Sequence, residues 1–154
     1  MMIKKKLFRI GLVVMLVTAF SGLVMGQSVG FRAGRYMDTE EYFIGGELLS
    51  RIAGNLFFNP NVEYVFLDNV TYMTFNLDFH YDFYTNSPLF FWLGSGLGVL
   101  YANPEGPAES DTDIGANLLF GIGIDTVSTL TPYFQVKYIL ADNDEIVLGV
   151  GLRF

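Results

Sequence analysis

The sequence predicts an antiparallel β-barrel of eight strands that spans a membrane, and three observations carry that expectation. After residue 26, large apolar side chains recur at every second position through segment after segment, the period of a strand with one greasy face. The stretches between segments are turn-rich and alternate in character, one set uncharged and the other acidic. The last nine residues, Ile146 to Phe154, form one more alternating segment and end on an aromatic.

Residues 1–26 precede the pattern and have the makeup of an export signal. Lys4, Lys5, Lys6 and Arg9 give a basic start, Ile10 to Phe20 is apolar, and small or polar residues follow as far as Val24-Met25-Gly26. The apolar stretch is shorter than the roughly 20 residues of a spanning helix, so cleavage after Gly26 is expected. The 154 residues then divide into a signal peptide, 1–26, and one barrel domain, 27–154. Eight crossings of about ten residues fit that length.

The first segment runs from Val29 to Met37 and stops at the acidic turn Asp38-Thr39-Glu40-Glu41. The second, Tyr42 to Ile52, ends at the uncharged Ala53-Gly54-Asn55. The third, Leu56 to Leu67, sets Phe58, Val62, Tyr64 and Phe66 against Asn59, Asn61 and Glu63, and Asp68-Asn69-Val70 follows. In the fourth, Thr71 to Tyr84, the apolar row from Met73 to Phe83 opposes Tyr72, Thr74, Asn76, Asp78, His80 and Asp82. The turn Thr85-Asn86-Ser87-Pro88 leads to the fifth, Leu89 to Ala102, where Phe90 and Trp92 share a side with Gly94, Gly96 and Gly98. Polarity alone does not assign that side inward. A long connection, Asn103 to Asp113, precedes the sixth segment, Ile114 to Val127, and is expected to be the most mobile part of the domain. The seventh, Pro132 to Ala141, opposes Phe134, Val136, Tyr138 and Leu140 to Tyr133, Gln135 and Lys137. Asp142-Asn143-Asp144 introduces the eighth, Glu145 to Phe154.

Composition narrows the function. There is no cysteine, so thiolate metal sites, thiol nucleophiles and a cysteine-linked lipid anchor are excluded. With four of the nine basic residues in the signal, Arg32, Arg35, Arg51, Lys137 and Arg153 face all sixteen acids, a net charge of −11. Such a surface repels nucleic acid. Half the chain is nevertheless apolar, at 51% hydrophobic and 16% aromatic, more than a small soluble domain buries, so lipid is the expected covering.

With the greasy rows facing lipid, the lumen receives Arg32, Glu47, Arg51, Glu63, Asp78, His80, Asp82, Asp125, Lys137, Glu145 and Arg153. An eight-stranded barrel is only wide enough for its own side chains, so the first expectation is a packed network of paired charges with a structural or interaction role. A narrow, cation-favouring, porin-like conduit is the alternative, because acids outnumber bases. Arg51, Asp82, Asp125 and Arg153 fall at segment ends on the terminal side. An ionic cluster is expected there, with Arg153 partnering Asp82 or Asp125.

His80 is the one histidine, and an aspartate can orient a histidine base. Ser50 and Ser95 fall on the apolar face and Ser87 in a turn, so no nucleophile is placed and no enzyme is expected; a lipid-A-modifying hydrolase or acyltransferase is the remaining catalytic reading. Asp111-Thr112-Asp113 and Asp142-Asn143-Asp144 space carboxylates as divalent cations accept, which makes Asp111, Asp113, Asp142 and Asp144 weak metal candidates at an acidic rim. No cofactor is expected.

The export signal, the eight alternating segments, the short turns at one rim and the closing Leu152-Arg153-Phe154 resemble the small Gram-negative outer-membrane barrels, the OmpA/OmpX-like group. The resemblance implies export by the general secretory route to a bacterial outer membrane, with lipid and lipopolysaccharide as surroundings. It also implies that the barrel-assembly machinery reads Ile146, Leu148, Val150, Leu152 and Phe154. Roles in that group include anchoring, adhesion, lipid modification and solute passage; the short outer loops here depart from its adhesive members.

Overall fold

The computed structural model describes residues 27–154; the expected signal peptide, residues 1–26, lies outside the described residues. Among the described residues the chain forms eight strands: β1 Gln27–Tyr36, β2 Tyr42–Ala53, β3 Leu56–Leu67, β4 Val70–Tyr84, β5 Leu89–Pro104, β6 Asp111–Ile124, β7 Thr131–Leu140 and β8 Glu145–Arg153. Each pairs antiparallel with its chain neighbour, and β8 pairs with β1 to close the barrel. Closure leaves no free sheet edge. The Phe154 amide completes the seam with a bond to the Val29 carbonyl at 2.8 Å.

All eight segments expected from the alternation are present, with ends shifted by a few residues. The largest shift is at the long connection. There β5 and β6 continue past the expected ends, pairing Ala102 with Asp111, which shortens the loop to residues 105–110. Backbone hydrogen bonding extended the hairpin through positions whose side chains no longer alternate. The turns 54–55 and 68–69 are two residues long, with Gly54 and Asn69 at positive φ of 53° and 58°.

Away from its ends, each strand alternates between an outward and an inward side. Phe31, Ile114 and Leu97 are 65%, 70% and 62% exposed on the outer wall, whereas Glu63, Asp78 and Lys137 are fully buried inside. This is the inverse of a water-soluble barrel, so hydrocarbon is the solvent that suits the wall.

Inward glycines make the interior fit. Phe90 lies over Gly123, Trp92 over Gly121 and Tyr133 over Gly151, each ring occupying the space a Cβ would fill on the adjacent strand. Asp78 lies over Gly96, and Glu47 over Gly30, in the same way. Large side chains thus lie flat across a neighbouring strand, and a narrow barrel holds more bulk than its diameter suggests.

Pro60 sits inside β3 and cannot donate to β2, where the ladder lapses opposite Leu48. The Asn59 side-chain amide fills that gap, donating to the Leu48 carbonyl at 2.9 Å.

Candidate functional site: the barrel interior

The interior is stacked in three layers between the loop mouth, where β1 joins β2, and the terminal mouth. Nearest the loops is an apolar layer of Tyr36, Phe43, Val65, Leu100, Ile139 and Val147, against which Leu67, Tyr72 and Ala141 pack. Sequence reasoning assigned no interior role to these apolar residues, although parity places them: Tyr36 is four residues from Arg32, Phe43 four from Glu47, and Val65 two from Glu63.

The middle layer is polar and ionic. Glu63 accepts from Lys137 Nζ at 2.8 Å on both oxygens, from the Tyr36 hydroxyl, and from Thr74 Oγ1 at 3.2 Å. Arg32 bridges the two glutamates, reaching Glu63 at 3.1 Å and Glu47 at 3.8 Å. Arg153 Nε donates to Glu47 at 2.8 Å. A chain of amides continues across the lumen: Asn59 donates to Glu47, Asn61 and Asn117 to Asp78, Asn76 to Asn61, and Asn117 also to Asn76. Three cations thus face three carboxylates, Glu47, Glu63 and Asp78, in a neutral layer closed to water.

The third layer is aromatic. Phe90, Trp92 and Tyr133 cluster, and the Arg153 guanidinium lies 4.9 Å from the Trp92 ring centre and 4.3 Å from that of Tyr133. His80 stacks 5.5 Å from Phe57 and 5.5 Å from Trp92. Phe90 and Trp92 therefore face inward with Gly94, Gly96 and Gly98, which assigns the side that polarity left open. Below them a vestibule of about 700 Å³ opens at the terminal mouth.

The expected network is partly redistributed. Arg32, Glu47, Glu63, Asp78, Lys137 and Arg153 meet in the middle layer, but Arg51 and Asp125 are exposed at the rim. The expected ionic cluster of Arg51, Asp82, Asp125 and Arg153 does not form; the four line the vestibule without ion-pairing to one another. Arg51 lies over the Phe57 ring at 5.2 Å, Asp82 binds His80 Nδ1 at 2.8 Å, and Arg153 turns inward to Glu47. The reason is desolvation: Glu47 is buried on the inner side of Arg153 and needs a cation, whereas Asp125 is exposed to water and buried Asp82 is held by His80. Glu145 also departs from the network. It caps the β1–β2 turn, accepting from the Asp38 and Thr39 amides at 2.6 and 3.2 Å.

His80 is oriented by Asp82 alone, because the Asp78 carboxylate is occupied by Asn61 and Asn117. Its Nε2 is buried without a hydrogen-bond partner among the described residues. Three of the weak metal candidates accept local hydrogen bonds, and Asp142 enters only through its backbone amide. Asp111 binds the Thr112 amide, Asp113 the amides of Ile114 and Asp142, and Asp144 the Tyr138 hydroxyl. Among the described residues no group of three or more metal-ligating side chains is assembled. Ile146, Val150, Leu152 and Phe154 are exposed on the outer wall and Leu148 is half-buried there; Phe154 packs edge-on against Phe31 at 6.1 Å.

No family model and no curated protein matches the sequence. Solved structures do match the fold. The N-terminal β-barrel domain of Pseudomonas aeruginosa OprF aligns with a TM-score of 0.72 at 17% identity, over 83% of this chain and 95% of that one. Neisserial surface protein A aligns at 0.61 with 17% identity, over 82% and 93%. The outer membrane enzyme PagL aligns at 0.53 with 11% identity, over 82% and 98%. The chain has the fold of the small eight-stranded outer-membrane barrels. One fold hosts both an enzyme and surface proteins, so the role must be argued from the interior.

Proposed function

We propose that the chain is an integral outer-membrane β-barrel protein with a closed interior, whose role is structural or interactive rather than catalytic. The observation that carries this reading is the dryness of all three layers. A continuous water path would expose its lining, yet Tyr36, Glu63, Trp92 and Lys137 are all inaccessible. The apolar wall and the membrane setting of similar folds support the location, and an export signal at residues 1–26 would supply the route.

The terminal vestibule favours a second reading, a narrow conduit. Passage would then require both the Trp92 layer and the Tyr36 layer to part. Planar-bilayer recording separates the two: the closed reading expects no single-channel steps from folded protein, and reproducible steps in the unmodified chain would reject it.

A further inference from the structure

We propose that the outer wall at β1–β2 carries a site for a phosphorylated membrane lipid, with the phosphate on Arg35 and an acyl chain in the groove beside it. This rests on the membrane reading above.

The outward positions of β1 are Phe31, Ala33 and Arg35, and those of β2 facing them in register are Gly46, Ile44 and Tyr42. Ala33 and Gly46 lower the wall between Phe31 and Ile44, at one end of an apolar groove of about 1080 Å³ that runs on across β8, β7 and β6 past Leu152, Phe134 and Ile122. Gly46 is not forced by packing. A Cβ there would meet nothing nearer than the Gly30 carbonyl at 3.9 Å, and its backbone lies outside the positive-φ region. The inward glycines under Trp92, Phe90 and Tyr133 each make room for a ring; this outward one makes room only for something outside the chain.

One outward step nearer the loops, roughly 7 Å along β1, stands Arg35. Its Nε donates to the Glu40 carbonyl at 3.3 Å and its guanidinium lies 5.6 Å from the Tyr42 ring centre. No carboxylate ion-pairs with it among the described residues, so the rest of its N–H fork is free for an anion. It stands where the apolar belt gives way to the polar rim, the depth of a lipid headgroup. The surrounding carboxylates Asp38, Glu40 and Glu41 repel a free anion, so retention of a phosphate there depends on the acyl chain anchored below.

The test is native mass spectrometry of the folded protein in detergent, titrated with dipalmitoyl phosphatidic acid, with dipalmitoylglycerol, or with inorganic phosphate. Phosphatidic acid should give a one-to-one adduct, about fivefold weaker in Arg35→Ala or when the lipid lacks phosphate, the loss expected for one basic side chain at an anionic lipid. Gly46→Leu should block the β1–β2 end of the groove, next to Arg35, and weaken the adduct while leaving the fold intact, and inorganic phosphate alone should not bind. Undiminished adducts in both variants, or binding of inorganic phosphate in place of the lipid, would overturn the site. Heat-modifiable gel migration of each variant reports the barrel itself. A heat-modifiable chain without the adduct overturns the site alone; a chain that is not heat-modifiable overturns the membrane reading with it.

Discussion

Removing the charge of Glu63 tests the balance of the sealed middle layer most directly. Glu63 is fully buried and holds Lys137, Arg32, the Tyr36 hydroxyl and Thr74 at once. In Glu63→Gln, three buried cations face two carboxylates with no water to screen the excess. Removing one partner of a buried pair costs about 3–5 kcal/mol. With a urea slope of about 2 kcal/mol per molar, the unfolding midpoint should fall by about 2 M. The assay is a urea titration in lipid vesicles read by gel mobility, with Glu63→Gln/Lys137→Met in parallel. The double variant restores two cations against two carboxylates, so it should recover most of the loss, since replacing both members of a buried pair is often close to neutral. The reasoning fails if the single variant unfolds within about 0.5 M of the parent, or if the second substitution adds its own loss.

Two further outcomes follow from the same interior. Gly121→Val drives a side chain into the Trp92 indole and should cost about 1–3 kcal/mol and perturb the near-ultraviolet dichroism of the one tryptophan. Unchanged dichroism and stability would show that the ring does not lie on that glycine. Arg153→Ala should lower stability in vitro by about 3 kcal/mol, because Glu47 loses its closest cation. Phe154→Ala, on the exposed wall, should leave the urea midpoint within about 0.5 M yet reduce the amount of folded barrel in cells, if the terminal row carries the assembly address. Equal in-cell yields for Phe154→Ala and the parent would remove that role.

Much of the wall was legible in the sequence. A strand's side chains alternate by geometry alone, so Met73 to Phe83 had to share one face and Thr74 to Asp82 the other. The interior was less legible because the eye follows charge. Arg51 and Asp125 have charge without burial, whereas Tyr36, Phe43 and Val147 have burial without charge. Parity would have placed the latter three. Nothing local could have found Asn59 standing in for the missing proline donor, since that bond needs Leu48 on the neighbouring strand.

What the sequence determined by itself was the barrel: period, strand number, turn positions and the division into a greasy face and a polar one are properties of near neighbours along the chain. Partner choice was decided only by closure. Arg153 and Glu47 are 106 positions apart, and Lys137 and Glu63 are 74 apart. They meet because β8 pairs with β1 and the barrel is narrow enough for side chains to reach across it. Burial then selects among the carboxylates within reach, because an ion cut off from water must be paired while one at the rim need not be.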